Sequence, residues 1–323
     1  MCFFWGLKME SFNKLSLLEK RKMAIEELVN YYAEYRIYLY NNGSELKGIE
    51  LRKKIHFLCD SILKIDQVLS RENNIIISNE SHVDKNSPKI FACTHIGGND
   101  IQRTFQVVKD PAYLMLGDPG ILYKMPIYQA LRLNGVIPLE TKNRTDRKIA
   151  YNRSVELLNK GGNLLIYPEG AWNVSANELV MKTYVGTVRM AKETSFPIVP
   201  IAVEQYEKTF YFNIGKEYTI DANDPRSEKE LNFDLRDKLC TLKWEILETQ
   251  PVLKHEFIPT LEEFQSEIIG RCNYGYGFSL EDALSESFHD KTIISEEEVF
   301  KCLENIELNT NNAFLAKQLV LKK

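Results

Sequence analysis

The stretch Cys93-Thr94-His95-Ile96-Gly97-Gly98-Asn99-Asp100 sets a histidine five residues ahead of an aspartate, with two glycines between them. These residue types suit proton transfer. An imidazole with one nitrogen held by a carboxylate keeps the other nitrogen free to take a proton from a hydroxyl, and the carboxylate stabilises the imidazolium that forms. The pairing requires the chain to turn between the two residues. The run KIFACT at 89–94 reads as a buried strand, and Gly97-Gly98 marks where it stops, so His95 falls at a strand's end. A helix beginning near Asn99 places Asp100 in its first turn. The competing reading is a solvated loop histidine followed by an aspartate that serves the helix N-terminus.

The elements around this stretch change character along the chain. Apolar residues at near-helical spacing predict one helix over 10–41 and a second over 44–69, a hairpin with no catalytic signal of its own. Its tyrosines Tyr31, Tyr32, Tyr35, Tyr38 and Tyr40 read as a packed face. Short apolar runs then follow at 75–78, 89–94, 112–117, 136–140, 163–167 and 198–204. Helices are expected over 146–159 and 181–192 between them. This is the pattern of an α/β fold with a mixed, mostly parallel sheet covered by helices, in which chemistry gathers at strand ends. The segment 209–220 reads as a hairpin turning at 213–216, and 228–248 as a helix. Beyond 250, Pro251, Pro259, Gly270, Gly275 and Gly277 break the chain into short pieces, with amphipathic helix expected over 295–323. The expected division is a helical arm at 1–72, an α/β core at 73–250 and a helical extension at 251–323.

The chain has 323 residues, of which 44% are hydrophobic, and a formal net charge of −4. That length and composition suffice for a sizeable core, and the charge argues against a simple basic nucleic-acid binder. Six cysteines lie scattered with no CxxC pair. They read as reduced thiols and favour a cytoplasmic setting. No apolar run approaches the roughly 18–20 residues that cross a bilayer. The opening Met1-Cys2-Phe3-Phe4-Trp5-Gly6-Leu7 is apolar but short. It offers either a peripheral membrane contact or an end packed on the body.

Four blocks in order extend the reading of His95: THIGGND at 94–100, NGVIPLE at 134–140, IYPEGAWN at 166–173 and FPIVPIAV at 196–203. Together they resemble the glycerolipid acyltransferases, the family of the lysophosphatidic acid and glycerol-3-phosphate acyltransferases, over about residues 74–220. The resemblance implies a glycerol-3-phosphate acyltransferase-like fold and transfer of a fatty acyl group from acyl-CoA or acyl-carrier protein to a hydroxyl or amine. His95 and Asp100 are then the catalytic pair, with no metal and no cofactor beyond the acyl donor. Glu169, Gly170, Trp172 and Arg144 are the candidate substrate-binding residues. The expected acceptor is a lysophospholipid or glycerol-phosphate-like molecule, met in the cytoplasm or at the cytoplasmic face of a membrane.

Two departures bear on the acceptor. The Thr-Arg that usually follows Pro-Glu-Gly is Ala171-Trp172, and the basic residue expected after the second block falls at Thr141. In the phospholipid-forming members both arginines are associated with the acceptor's phosphate. Their absence leaves two possibilities: Lys142, Arg144 or Arg147 supplies the charge, or the acceptor is a sugar, an amino acid or another group without phosphate. A non-catalytic lipid-binding protein on the same fold is a further alternative.

Other candidates read as structural. Cys93 shares a strand face with His95 but sits in an apolar run. His82 and Asp84 have metal-ligand types in a polar loop with no second cluster, and His255 and His289 stand alone. Glu169 follows a proline at a strand-to-loop junction, where hydrogen bonds to backbone amides are its expected work. No GxSxG elbow marks a hydrolase.

Overall fold

The computed structural model describes residues 17–84, 87–175, 178–251, 259–272 and 279–286. The apolar runs become strands β1 (Asn73–Asn79), β2 (Ile90–Cys93), β3 (Ala112–Gly117), β4 (Val136–Leu139), β5 (Asn163–Ile166), β6 (Ile198–Tyr206) and β7 (Thr209–Ile214), and these form one sheet in the order β1-β7-β6-β2-β5-β3-β4. The pairs β1/β7, β2/β6 and β3/β4 are parallel, and β6/β7 is antiparallel. Every residue of β2 and β5 is buried. That is why these strands read as continuous apolar runs rather than alternating ones.

By its contacts the chain forms two compact units, one of residues 1–59 and 111–164, the other of 60–110 and 165–323. In the first, helices α1 (Leu17–Lys22) and α2 (Ile25–Asn41) lead to α3 (Ile49–Ser70), whose residues from 60 on belong to the second. The same unit holds α5 (Pro126–Asn134) and α6 (Arg144–Asn159). Its core stacks Tyr32 on Tyr123 with ring centroids 4.1 Å apart, and Tyr128 meets Tyr123 edge-on at 4.9 Å. Beside them a partly buried ion pair joins Arg36 to Asp146 at 2.5 Å, with Arg36 also donating to the Tyr123 hydroxyl.

The second unit carries α4 (Asp100–Val108), α7 (Gly186–Thr194), α8 (Glu228–Glu248), α9 (Leu261–Cys272) and α10 (Leu280–Glu286). Leu231, Leu235, Leu239, Leu242 and Ile246 make one buried stripe of α8 against β6 and β7. A reciprocal capping box between Ser227 and Glu230 starts that helix.

Four expectations are corrected. The helix over 10–41 breaks at Met23-Ala24, where Ala24 is extended and the Met23 carbonyl accepts from Lys124 Nζ. The helix expected from 44 begins at Ile49, since the preceding segment is tied elsewhere: Leu46 N–H donates to Glu156 at 2.8 Å. The hairpin expected at 213–216 is instead the β6/β7 turn at Glu207, whose φ is +52°. Gly215 is needed for a close approach, because a Cβ there would stand 2.9 Å from Leu242. The helix expected from 181 begins only at Gly186, for a reason that belongs to the site. The expected contacts at 1–7 and helices at 295–323, with His255 and His289, lie outside the described residues.

Candidate active site

Strand β2 delivers the histidine. Thr94 N–H donates to the Ile201 carbonyl at 3.0 Å, and Val203 N–H donates to Thr94 Oγ1 at 2.9 Å, which locks the end of β2 onto β6. The backbone of His95 is then held on both sides: its N–H donates to Glu169 Oε1 at 2.9 Å and its carbonyl accepts from Asn173 N–H at 2.8 Å. Gly97 and Gly98 have φ of +81° and +65°, the left-handed backbone that returns the chain toward α4.

Asp100 opens α4 and is 1% exposed. Its Oδ2 lies 2.7 Å from His95 Nδ1 and also accepts from the N–H groups of Ile96 at 2.8 Å and Gly97 at 2.9 Å. Facing a carboxylate oxygen already fed by two amides, Nδ1 is the donor, so the tautomer assigned by this network carries its proton on Nδ1 and leaves Nε2 a lone pair. The imidazole rests 4.4 Å from the Tyr167 ring, and the Trp172 indole stands edge-on to it at 6.3 Å.

Glu169 lies beneath the histidine, fully buried. Its second oxygen, Oε2, accepts from Met181 N–H at 2.8 Å, and Tyr184 N–H is given to the Pro168 carbonyl at 2.8 Å. The amides of Met181 and Tyr184 are spent on this loop, which is why α7 starts late. Burial pushes the Glu169 carboxyl above the usual carboxylate range, against the opposing pull of Lys243 and of the His95 and Met181 amides. Gly170 has φ +74° and a Cβ there would stand 2.6 Å from the Tyr184 ring, so only glycine fits.

Trp172 packs against a cluster of Val174, Phe264, Ile268 and Ala283. Arg144, the remaining candidate for substrate binding, is the exposed first residue of α6 and belongs to the other unit. Thr141, where a basic residue was expected, gives its N–H and hydroxyl to Asp118 at 2.9 and 2.5 Å.

Sequence reasoning missed several residues around this pair. Arg103 is completely buried on α4 and pairs with Glu72 at 2.8 Å and Asp66 at 2.6 Å, while Asn99 Nδ2 donates to both Glu72 oxygens at 3.0 Å. Lys243, on the apolar stripe of α8, faces Glu204 at 3.4 Å with both side chains buried. Tyr167 supplies the ring under His95 and donates its hydroxyl to Thr104 at 3.2 Å. The signal for Arg103 and Lys243 is a charge at a core-facing helical position, which needs a buried partner that only the fold supplies.

The rivals fall into structural places. Cys93 is fully buried beside Thr104, and burial pushes its thiol well above the ordinary range, the reverse of an activated nucleophile. His82 donates its backbone N–H to Glu217 in an exposed loop, and among the described residues no three His, Cys, Asp or Glu side chains gather as metal ligands.

A family model described as Acyltransferase matches residues 74–204, the segment that holds His95, Asp100 and the Pro168-Glu169-Gly170 loop. The crystal structure of the 1-acyl-sn-glycerophosphate (LPA) acyltransferase PlsC from Thermotoga maritima superposes with a TM-score of 0.52, at 16% identity, over 70% of this chain and 94% of that one. At that identity the likeness is one of fold. No curated protein sequence matches. Segment 74–204 is therefore similar to the Acyltransferase family, and it lies on an α/β sheet of the PlsC type.

Proposed function

We propose that this protein transfers a fatty acyl group from a thioester, acyl-CoA or acyl-carrier protein, to the hydroxyl of a lysophospholipid or glycerol-phosphate-like acceptor. The observation that carries this reading is the 2.7 Å contact between His95 Nδ1 and a buried Asp100. With Nδ1 donating to Asp100, Nε2 takes the acceptor's proton as its oxygen attacks the thioester carbonyl. The tetrahedral oxyanion collapses, the C–S bond breaks, and the thiolate takes the proton back from the His95 imidazolium. The ester forms, the thiol leaves, and His95 returns to its starting state without a covalent enzyme intermediate or a cofactor.

A second reading takes an acceptor without phosphate, such as a sugar or an amino acid. Trp172 favours it, since an indole stands where the resemblance expects a guanidinium and offers a phosphate no charge. Both readings have the enzyme work in the cytoplasm or at the cytoplasmic face of a membrane. Among the described residues no helix is long and apolar enough to span a membrane, but α3 exposes Leu58, Ile62, Ile65 and Leu69 along one face. Cys59, Cys93 and Cys240 are free thiols, in keeping with a reducing compartment.

The deciding experiment is thiol release from acyl-CoA and acyl-carrier-protein donors with lysophosphatidic acid, glycerol 3-phosphate, a sugar or an amino acid, in wild type and His95→Ala. Acceptor-dependent release lost in the variant is the expected result, and the acceptor that works chooses between the readings. Release that ignores the acceptor would mean thioester hydrolysis. A folded protein inert with every pair would leave the lipid-binding alternative.

A further inference from the structure

The helices α9 and α10 follow the sheet domain by sequence, yet their buried residues do not form a core of their own. Phe264 and Ile268 of α9 and Ala283 of α10 close on Val174, and the partly buried side chains packed on that cluster are Trp172, Leu261, Ile269 and Leu280. Each helix has a defined start that fixes where its apolar face points. Thr260 N–H donates to Glu263 at 2.8 Å while Glu263 N–H donates back to Thr260 Oγ1 at 3.2 Å. Ser279 and Asp282 repeat the arrangement at 2.9 and 3.1 Å.

What this pair packs against is the loop next to the reactive histidine. Trp172 stands edge-on to His95 at 6.3 Å with an interplanar angle of 77°. Asn173, the next residue, donates its N–H to the His95 carbonyl and its side-chain amide to the carbonyls of Glu178 and Leu179 at 2.9 and 3.2 Å. Val174, one residue further, is completely buried in the α9–α10 cluster. Three consecutive residues thus run from the imidazole to the C-terminal helices. An indole packed against buried apolar residues loses rotamer freedom and becomes a fixed wall beside the histidine.

We infer that the α9–α10 pair is a positioning element of the active site. It holds Trp172 as the uncharged wall against which the acceptor and thioester are aligned on His95. Phe264 and Ile268 act through Trp172 and touch no substrate. The inference rests on the acyltransferase reading for its kinetic consequence but not for its structural one, and the two are tested separately.

The full-length chain with Trp5→Phe and Trp244→Phe leaves Trp172 as the one tryptophan. Its fluorescence is titrated with pH, since a protonated imidazole quenches a neighbouring indole. The expected result is a quenching step that disappears in His95→Gln and that weakens, with a red-shifted emission, in Phe264→Ala. Ile268→Val, which removes one methylene, gives a smaller change of the same sign and covers the case in which Phe264→Ala unfolds the pair. With the donor and acceptor found by thiol release, Phe264→Ala lowers kcat by tenfold to roughly 10²-fold, the scale of a small misplacement at a reacting centre. The double variant Phe264→Ala/Trp172→Ala loses no more than Trp172→Ala alone, because both act through one side chain. Trp172→Phe restores part of the loss.

Additive losses, or an emission and quenching step indifferent to both Phe264→Ala and Ile268→Val in folded protein, would overturn the inference. If no donor and acceptor pair turns over, the acyltransferase reading fails on that result while the fluorescence titration still decides the placement of Trp172.

Discussion

His95 and Asp100 divide the work of one proton transfer, and the geometry assigns each a separable consequence. Removing the base with His95→Ala should cut kcat by roughly 10²- to 10⁴-fold, the usual share of a positioned acid–base group, with the melting temperature little changed. Asp100→Asn keeps the shape but presents an amide that can donate to Nδ1, which favours the tautomer with its proton on Nε2, where it blocks attack. Its expected signature is a lower kcat with KM nearly constant, measured by steady-state thiol release; an unaltered kcat would remove Asp100 from the mechanism. Glu169 differs because both of its oxygens accept from backbone amides. Glu169→Gln turns an NH2 toward either the His95 or the Met181 N–H, and a buried donor without a partner costs about 1–3 kcal/mol. That variant should therefore lose stability in chemical denaturation as well as activity, which distinguishes a scaffold carboxylate from a catalytic one. The sequence exposed His95 and Asp100 through their spacing and Glu169 through its place after Pro168. It could not expose Tyr167 or Asn173, whose roles depend on where two loops meet.

Helix α4 brings Asp100 to His95, and it is anchored by a buried arginine as well as by Phe105 and Val107. Arg103 Nε meets Glu72 at 2.8 Å, Glu72 in turn holds Asn99, and Arg103 also donates to Gln106 at 2.9 Å. Glu72→Ala takes the buried acceptor from Arg103 Nε and from the Asn99 amide while Asp66 still pairs with Arg103, and should cost about 1–3 kcal/mol, read from denaturant midpoints. Replacing both members with apolar residues, Glu72→Leu with Arg103→Met, should recover much of the loss. If the single variant proves as stable as wild type, the network is not what seats α4. In the other unit, the Tyr123 and Tyr128 pair makes a pH statement. Burial raises the Tyr123 phenol, and it pushes Tyr128 up to about 12. A phenol in the unfolded chain ionises near 10. Between those values the unfolded chain releases protons that the folded one keeps, so the stability present below pH 10 is lost as pH rises toward 12. Melting curves of wild type should fall more steeply over that window than those of Tyr128→Phe, and parallel slopes would contradict the assignment.

Across the whole chain, legibility followed how local each cause was. Strand β3 and helix α8 were read to the residue, because continuous apolar runs and a leucine stripe carry their own evidence. The β6/β7 pairing was not, since alternation in 209–220 looks the same whether the strand turns on itself or pairs with β1 and β6. The exposed apolar face of α3 belongs to this scale too. Leu58, Ile62, Ile65 and Leu69 of α3 are 65%, 59%, 62% and 79% exposed and recur at helical spacing, so the sequence reads them as a core face while the fold leaves them in water. Exposed apolar stripes of this kind serve a contact. Fully burying one such side chain is worth about 1.5–3 kcal/mol, or roughly 10- to 150-fold in partition for each residue. Ile62→Asp/Ile65→Asp should therefore release the protein from phospholipid vesicles in a sedimentation assay, while Phe233→Asp, at an equally exposed position on α8, should not. Thiol release from a water-soluble short-chain donor and acceptor should survive the α3 substitutions, since both side chains are exposed. Unchanged vesicle binding would assign the stripe to something other than lipid, and equal loss from Phe233→Asp would show that added charge, not this face, governs the partition.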